Sequence, residues 1–239
     1  MPFKEFYLEP KQTIKIYKRR NARNIRLSVD AHGQIKVSIP TWAPYQAGLQ
    51  FAKKHSTWIE DKTPKKNILA SGQAVGKSHH LYFNRTNSNK VTTRVSDTEV
   101  LVFVPQDIEP TSPPAQTAAR RGSIKALRMQ SEKLLPQRVA QLAAKSDTNY
   151  SSIKVKPLKS RWGSCDQRKN IVLNIYLMQL PWELIDYVIL HELTHTKVLK
   201  HNDKFWATLS SYLPKAKALR KELNTHNPVV VGTYNPLMP

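Results

Sequence analysis

Four residues near the C-terminal end have the types and spacing for hydrolytic chemistry: His191, Glu192, His195 and His201, within "YVILHELTHTKVLKHNDKFW" (Tyr187–Trp206). His191 and His195 stand four apart, so on a helix they project from one face, one turn apart, where two imidazoles can ligate one ion. Glu192 follows His191 directly. It flanks such an ion without being placed to ligate it alongside both histidines, and can reach a water as general base. Catalytic zinc takes three protein ligands and keeps a fourth position open. The third ligand falls to His201, ten residues after His191, provided that the helix ends near Leu199 and the chain turns back. "HND" then offers Asn202 or Asp203 as N-cap of a returning helix that carries Phe205, Trp206 and Leu209.

With 8 His and 9 Glu in 239 residues, an H-E-x-x-H pattern arises by chance in about one shuffled chain in a hundred, and with the third His in about one in three thousand. The setting sharpens the argument. Tyr187, Val188, Leu190 and Leu193 surround the motif, and a Glu and two His in so apolar a helix are costly without a partner. A metal removes that cost. A single cysteine, Cys165, rules out cysteine-only sites and any intramolecular disulfide, so any metal must be held by His, Asp or Glu.

The elements that must position these residues follow from pattern. "TIKIYK", "NIRLSVD" and "QIKVSIP" alternate apolar and polar residues in the period of strands, and "DAHG" between the last two predicts a hairpin from Ile25 to Ile39. "APYQAGLQFAKKHSTWIEDK" reads as one helix, and "HLYFNRT", "KVTTRVS" and "EVLVFVP" as three more strands. "PQDIEPTSPPAQ" is rich in proline and turn residues, which disfavour helix or strand. From about Ala118 to Lys145 the pattern is helical, with Pro136 expected to kink or interrupt it. "SSIKVKP" and "KNIVLNIYLMQL" read as strands around the loop "KSRWGSCDQR", and Pro181 suits the first turn of the metal helix. The expected architecture is α+β: a small β-rich N-terminal module with one helix (1–104), a Pro-rich linker (105–117), a zincin-like helix–sheet–helix domain (118–225) and a tail (226–239).

Charge bounds the partners. Lys+Arg number 38 against 17 Asp+Glu, a net charge of +21, a field that attracts polyanions. The excess is spread out, with 14 basic against 5 acidic residues in 1–66 and 13 against 3 in 120–169. No dense patch with interleaved aromatics emerges from the sequence. No apolar run reaches the ~20 residues of a membrane span, and "MPFKEFYLEP" lacks the apolar centre of a secretory signal, so the expected location is the cytoplasm.

At this point "SRWGSC" (Ser160–Cys165), "NIVLNIYLMQLPWELIDYVILHELTH" and "HNDKFW" together resemble the YgjP-like family of zinc metallopeptidases, related to the WLM and SprT-like groups. The resemblance extends to "RRNARNIRLSVDAHGQIKVSIP" and "STWIEDK", and so covers most of the chain. It implies His191, His195 and His201 as zinc ligands and Glu192 as catalytic base. Val198 stands where a metzincin would carry Gly, which places the chain outside that group.

Around this site Arg161 is a candidate for binding an anionic substrate group or an oxyanion, with pairing to an acidic side chain as the plain alternative. Trp162 and Cys165 read as packing residues, Phe205 and Trp206 as packing the returning helix, and Asp186 and Asp203 as candidate partners for ligand N–H groups. The strand Asn170–Leu177 is equally a candidate edge for an extended substrate or an ordinary core strand. The leading functional expectation is a zinc-dependent metallopeptidase acting on a peptide or protein. Two alternatives stand beside it: a metal-dependent nucleotide or phosphoanhydride hydrolase, and a nucleic-acid-associated adaptor with a structural metal site.

Overall fold

The computed structural model describes residues 3–8, 12–30, 34–62 and 68–229. The chain divides into two compact units, residues 1–67 and 68–239, each with its own apolar cluster. It mixes helices and sheets throughout, an α+β protein with a strand-rich N-terminal region.

In the first unit β1 (Phe3–Leu8), β2 (Gln12–Arg19), β3 (Arg26–Val29) and β4 (Ile35–Pro40) form one sheet in the order β1-β2-β4-β3. Strand alternation puts Ile14, Ile16, Ile35, Val37 and Ile39 on one face, each at most 1% exposed. Helix α1 (Tyr45–Lys54) packs on that face, and Ile59 of α2 (Ser56–Lys62) joins the same cluster. The single helix expected here is thus two, broken at His55, whose N–H caps α1 by donating to the Phe51 and Ala52 carbonyls. Strands β3 and β4 pair antiparallel as the hairpin reading requires; its turn residues 31–33 lie outside the described residues.

The second unit opens with β5 (Gln73–Val75), β6 (His79–Thr86), β7 (Thr92–Val95) and β8 (Glu99–Pro105), a sheet of order β5-β6-β8-β7. Against it lies α3 (Pro113–Lys145), 33 residues long. The approach is close at Gly122, where a Cβ would stand 2.7 Å from Thr93 Cγ2. These contacts correct the expected boundaries. Leu69, Val75, Leu81, Val100, Val102 and Val104 share one core with α3 and everything after it, so the division falls after residue 67 and not at 104. Residues 105–117 separate no units. Pro105 ends β8, while Pro113 and Pro114 occupy the first turn of α3, where a missing N–H leaves nothing unpaired. The helix also continues through Pro136.

Three short strands follow: β9 (Ser152–Lys156), β10 (Gly163–Cys165) and β11 (Asn170–Asn174), in the order β10-β11-β9. Strand β11 is central, parallel to β9 and antiparallel to β10. Of the two readings of Asn170–Leu177, the core strand holds: β11 is paired on both sides, and the outer strand beside the site is β10. A 3-10 turn (Ile175–Gln179) leads to α4 (Trp182–His195), α5 (Asp203–Tyr212) and α6 (Ala216–Leu223). Residues 230–239 of the expected tail lie outside the described residues; just before them, Gln179 Nε2 donates to the Val229 carbonyl at 2.7 Å. Among the described residues no helix is long and apolar enough to cross a membrane.

Candidate metal centre

Helix α4 is buried nearly all round. Leu184, Ile185, Ile189 and Leu193 are fully buried, and the helix packs on α3, β10 and β11; a helix apolar on every side belongs in a core. Arg138 of α3 fixes its register with a two-pronged ion pair to Asp186, Nε–Oδ1 2.7 Å and Nη2–Oδ2 2.5 Å. Asp186 is thus engaged away from the histidines.

His191 and His195 face the same way from this helix, as their spacing requires. After Thr196 the chain leaves the helix, Val198 tucks its side chain into the core at 9% exposure, and the segment returns to start α5. Asn202 caps α5, its Oδ1 accepting from the Phe205 N–H at 3.1 Å. Asp203 stays exposed in the first turn, where its charge suits the helix dipole. The return brings His201 against the other two: its Nε2 lies 2.9 Å from His191 Nε2 and 3.2 Å from His195 Nε2. The three residues form a group with one nitrogen each, all within 4.8 Å.

Three imidazole nitrogens facing one point have no common hydrogen-bonding solution, because one N–H can serve only one neighbour. A cation serves all three. The Val198 carbonyl lies 3.2 Å from His195 Nδ1 and takes that N–H, which leaves the lone pair on the inward Nε2, the tautomer a metal ligand needs. His191 Nδ1 is buried and without a hydrogen-bond partner among the described residues. Burial, with the repulsion of His195, His201 and Arg220, pushes His191 down to about 3; burial likewise lowers His195. Half-buried His191 and buried His195, both held toward the neutral form, together with exposed His201 beside them, are a donor set for a divalent cation. Tetrahedral zinc with Zn–N distances of about 2.05 Å separates its nitrogens by about 3.3 Å, within half an ångström of the two separations seen.

Phe205 makes the floor of the centre. It is fully buried, and its ring centroid lies 4.9, 4.6 and 4.6 Å from those of His191, His195 and His201. Trp206 flanks the outer side, 5.9 Å from the His201 ring, with the Arg220 guanidinium 4.7 Å over its own face. Both aromatics pack, as their positions in the sequence suggest.

Glu192 lies with its side chain against Gly163 of β10. It is 5% exposed, and burial raises its carboxyl to about 8 against the opposing pull of Arg161. Gly163 makes the space: a Cβ there would come 2.7 Å from Glu192 Oε1. From sequence alone Gly163 is assigned no role; its place in "SRWGSC", at the first residue of β10, is the available signal. Arg161 itself has an exposed side chain, and its carbonyl accepts from Asn174 Nδ2 at 2.8 Å. Its charge reaches Glu192, while its head group stays in solvent. Trp162 and Cys165 pack against the core, and burial pushes the Cys165 thiol up to about 11, so it is protonated and no nucleophile at neutral pH.

Two solved structures are similar over a short stretch: the metallopeptidase zymogen jannalysin of Methanocaldococcus jannaschii, at 28% identity and a TM-score of 0.35 over 39% of this chain and 96% of that one, and the metallopeptidase zymogen abylysin of Pyrococcus abyssi, at 20% and 0.36 over 38% and 93%. No curated protein matches the sequence. The YgjP-like metallopeptidase domain matches residues 23–226, which is most of the chain, and the protein therefore belongs to the YgjP-like metallopeptidase family.

Proposed function

We propose that the protein is a zinc-dependent peptidase whose metal is held by His191, His195 and His201 and whose general base is Glu192. The observation that carries this reading is the convergence of three Nε2 atoms on one point, with a buried carboxylate on the neighbouring residue of the same helix. When bound, zinc supplies Lewis-acid polarisation of a carbonyl and makes water more acidic.

The chain's own residues do the rest. Glu192 takes the proton of the attacking water on a carboxylate oxygen and gives it to the leaving amine nitrogen. A carboxyl raised by burial holds that proton readily, which suits the second half of the exchange; the positive charge of a bound cation favours the ionised form needed for the first. Gly163 keeps the carboxylate in place against β10. The outer edge of β10 is where an extended peptide would pair, since an exposed strand edge offers unpaired backbone groups beside the active helix. Arg161, exposed at the start of that strand, is positioned to meet an anionic group of the substrate.

The test is hydrolysis of unfolded protein and of a fluorogenic peptide library by the zinc-loaded protein and by Glu192→Gln. Cleavage by the first, loss of at least about a thousandfold in the second, and equal zinc content in both support the reading. Hydrolysis of nucleoside triphosphates with all peptides untouched would replace it with the phosphoanhydride reading, and a Glu192→Gln variant as active as the parent would remove Glu192 from the chemistry.

A further inference from the structure

The sheet of the first unit has a second face. Strand alternation puts its aliphatic residues against α1 and α2, and leaves outward Phe3, Glu5 and Tyr7 of β1, Thr13, Lys15, Tyr17 and Arg19 of β2, Arg26 and Ser28 of β3, and Lys36 and Ser38 of β4. The register assembles what the linear sequence scatters. Phe3 is paired across the strands with Tyr17, their ring centroids 5.3 Å apart, and Lys15 lies 5.1 Å over the Phe3 ring. Tyr7, four residues further along β1, sits about 13 Å from Phe3. Phe3 and Tyr7 are 45% and 75% exposed.

Four cations, Lys15, Arg19, Arg26 and Lys36, share this face with two carboxylates, Glu5 and Asp30. Lys15 is paired with Glu5 at 3.4 Å and Lys36 with Asp30 at 2.8 Å, while Arg19 and Arg26 are exposed. The unit as a whole carries 14 basic against 5 acidic residues. A protein-binding surface is depleted in charge at its centre; here cations run between the rings. Rings and cations in alternation match a polyanion with flat faces between its charges.

We propose that the outward face of the β1–β4 sheet binds single-stranded nucleic acid, with bases stacked on Phe3–Tyr17 and Tyr7 and phosphates held by Arg19, Arg26 and the neighbouring lysines. A duplex keeps its base faces stacked inside and cannot use the rings; a single strand offers a π-face at every nucleotide. This surface is independent of the metal centre, and the proposal stands whether or not the peptidase reading holds.

The test is fluorescence anisotropy of the full chain with 5′-labelled 20-mers of deoxythymidine and of uridine, and with a labelled duplex of equal length. The expected result is binding of at least one single strand more tightly than the duplex, weakening with salt at a log–log slope of about −2 to −3, from about 0.7 per phosphate over three to four contacts. Tyr7→Ala and Phe3→Ala, both at exposed positions, should each weaken single-strand binding about tenfold and leave duplex binding unchanged. Tyr17→Phe should bind like the parent and Tyr17→Ala should not. Arg26→Glu should reduce the salt slope by about one contact. A duplex bound at least as tightly as both single strands, no binding of any strand at about 50 mM salt, or unchanged affinity in Tyr7→Ala and Phe3→Ala would each overturn the proposal.

Discussion

Gly163 lies directly beneath the Glu192 carboxylate: a Cβ on Gly163 would stand 2.7 Å from Oε1 and 2.9 Å from Cγ. Neither separation is tolerated between real atoms, so one partner must move. Glu192 is the end of a side chain and Gly163 is backbone in a paired strand, so the carboxylate yields.

Gly163→Ala should therefore lower peptide hydrolysis by about a hundredfold, the cost of an ångström-scale misplacement of a catalytic group, and leave zinc content unchanged. Steady-state kinetics with elemental analysis on the same sample checks both. Loss of the metal in Gly163→Ala would show that the glycine serves the histidines and not the glutamate.

Phe205→Ala removes the ring against which all three imidazoles rest. Truncating a fully buried Phe costs about 3–5 kcal/mol of stability, read from urea unfolding. Zinc affinity, read by competition with a chromogenic chelator, should fall by about 10- to 100-fold as the ligands lose their fixed orientation. Phe205→Leu should lose less of both. Unchanged zinc affinity in a folded Phe205→Ala protein would mean that the ring fills space and orients nothing.

The metal-free protein should be most stable near pH 6.5. Burial holds the Glu192 carboxyl up at about 8, from an ordinary 4.5; above 4.5 the unfolded chain has released a proton that the folded chain keeps, so this group's contribution falls as pH rises toward 8. Burial lowers His191 to about 3, from 6.5, and lowers His195 too; below 6.5 the unfolded chain takes up a proton that folded His191 refuses, and lowered His195 acts in the same direction, so their contribution falls as pH drops. Between about 4.5 and 6.5 two histidines outweigh one carboxylate, and above 6.5 the carboxylate acts alone. Urea midpoints from pH 4 to 8 should rise and then fall, and Glu192→Gln should remove the fall between 6.5 and 8. A parent protein with a flat profile across that alkaline side would contradict the burial of Glu192.

The histidine cluster was legible in the sequence because its signal is local. A helix fixes the relation of His191 to His195 at four residues, and the Asn202 cap announces the return that delivers His201. The strands were legible for the same reason: alternation is a property of consecutive residues. What depends on distant pairing was not. Gly163 and Glu192 meet only because β10 packs on α4, so the glycine gave no sign of its neighbour. Strand β11 read equally as a free edge or a core strand, and pairs on both sides once β9 and β10 arrive. The prolines of 105–117 suggested a linker, although Pro113 and Pro114 are compatible with a helix start, and the core shared by β5–β8 and α3 decides the boundary. The aromatic and basic face of β1–β4 was invisible for the same physical reason, since register alone sets Phe3 opposite Tyr17.

The most direct test of the account is zinc stoichiometry by elemental mass spectrometry on untagged protein purified without added metal, for the parent and for His191→Ala, His195→Ala and His201→Ala, with folding checked by circular dichroism. The account predicts about one zinc per chain in the parent and a loss of at least a hundredfold in affinity in each folded variant. A parent that holds no transition metal and takes none up on titration, or a His201→Ala protein that binds zinc as tightly as the parent, would contradict the three-histidine centre.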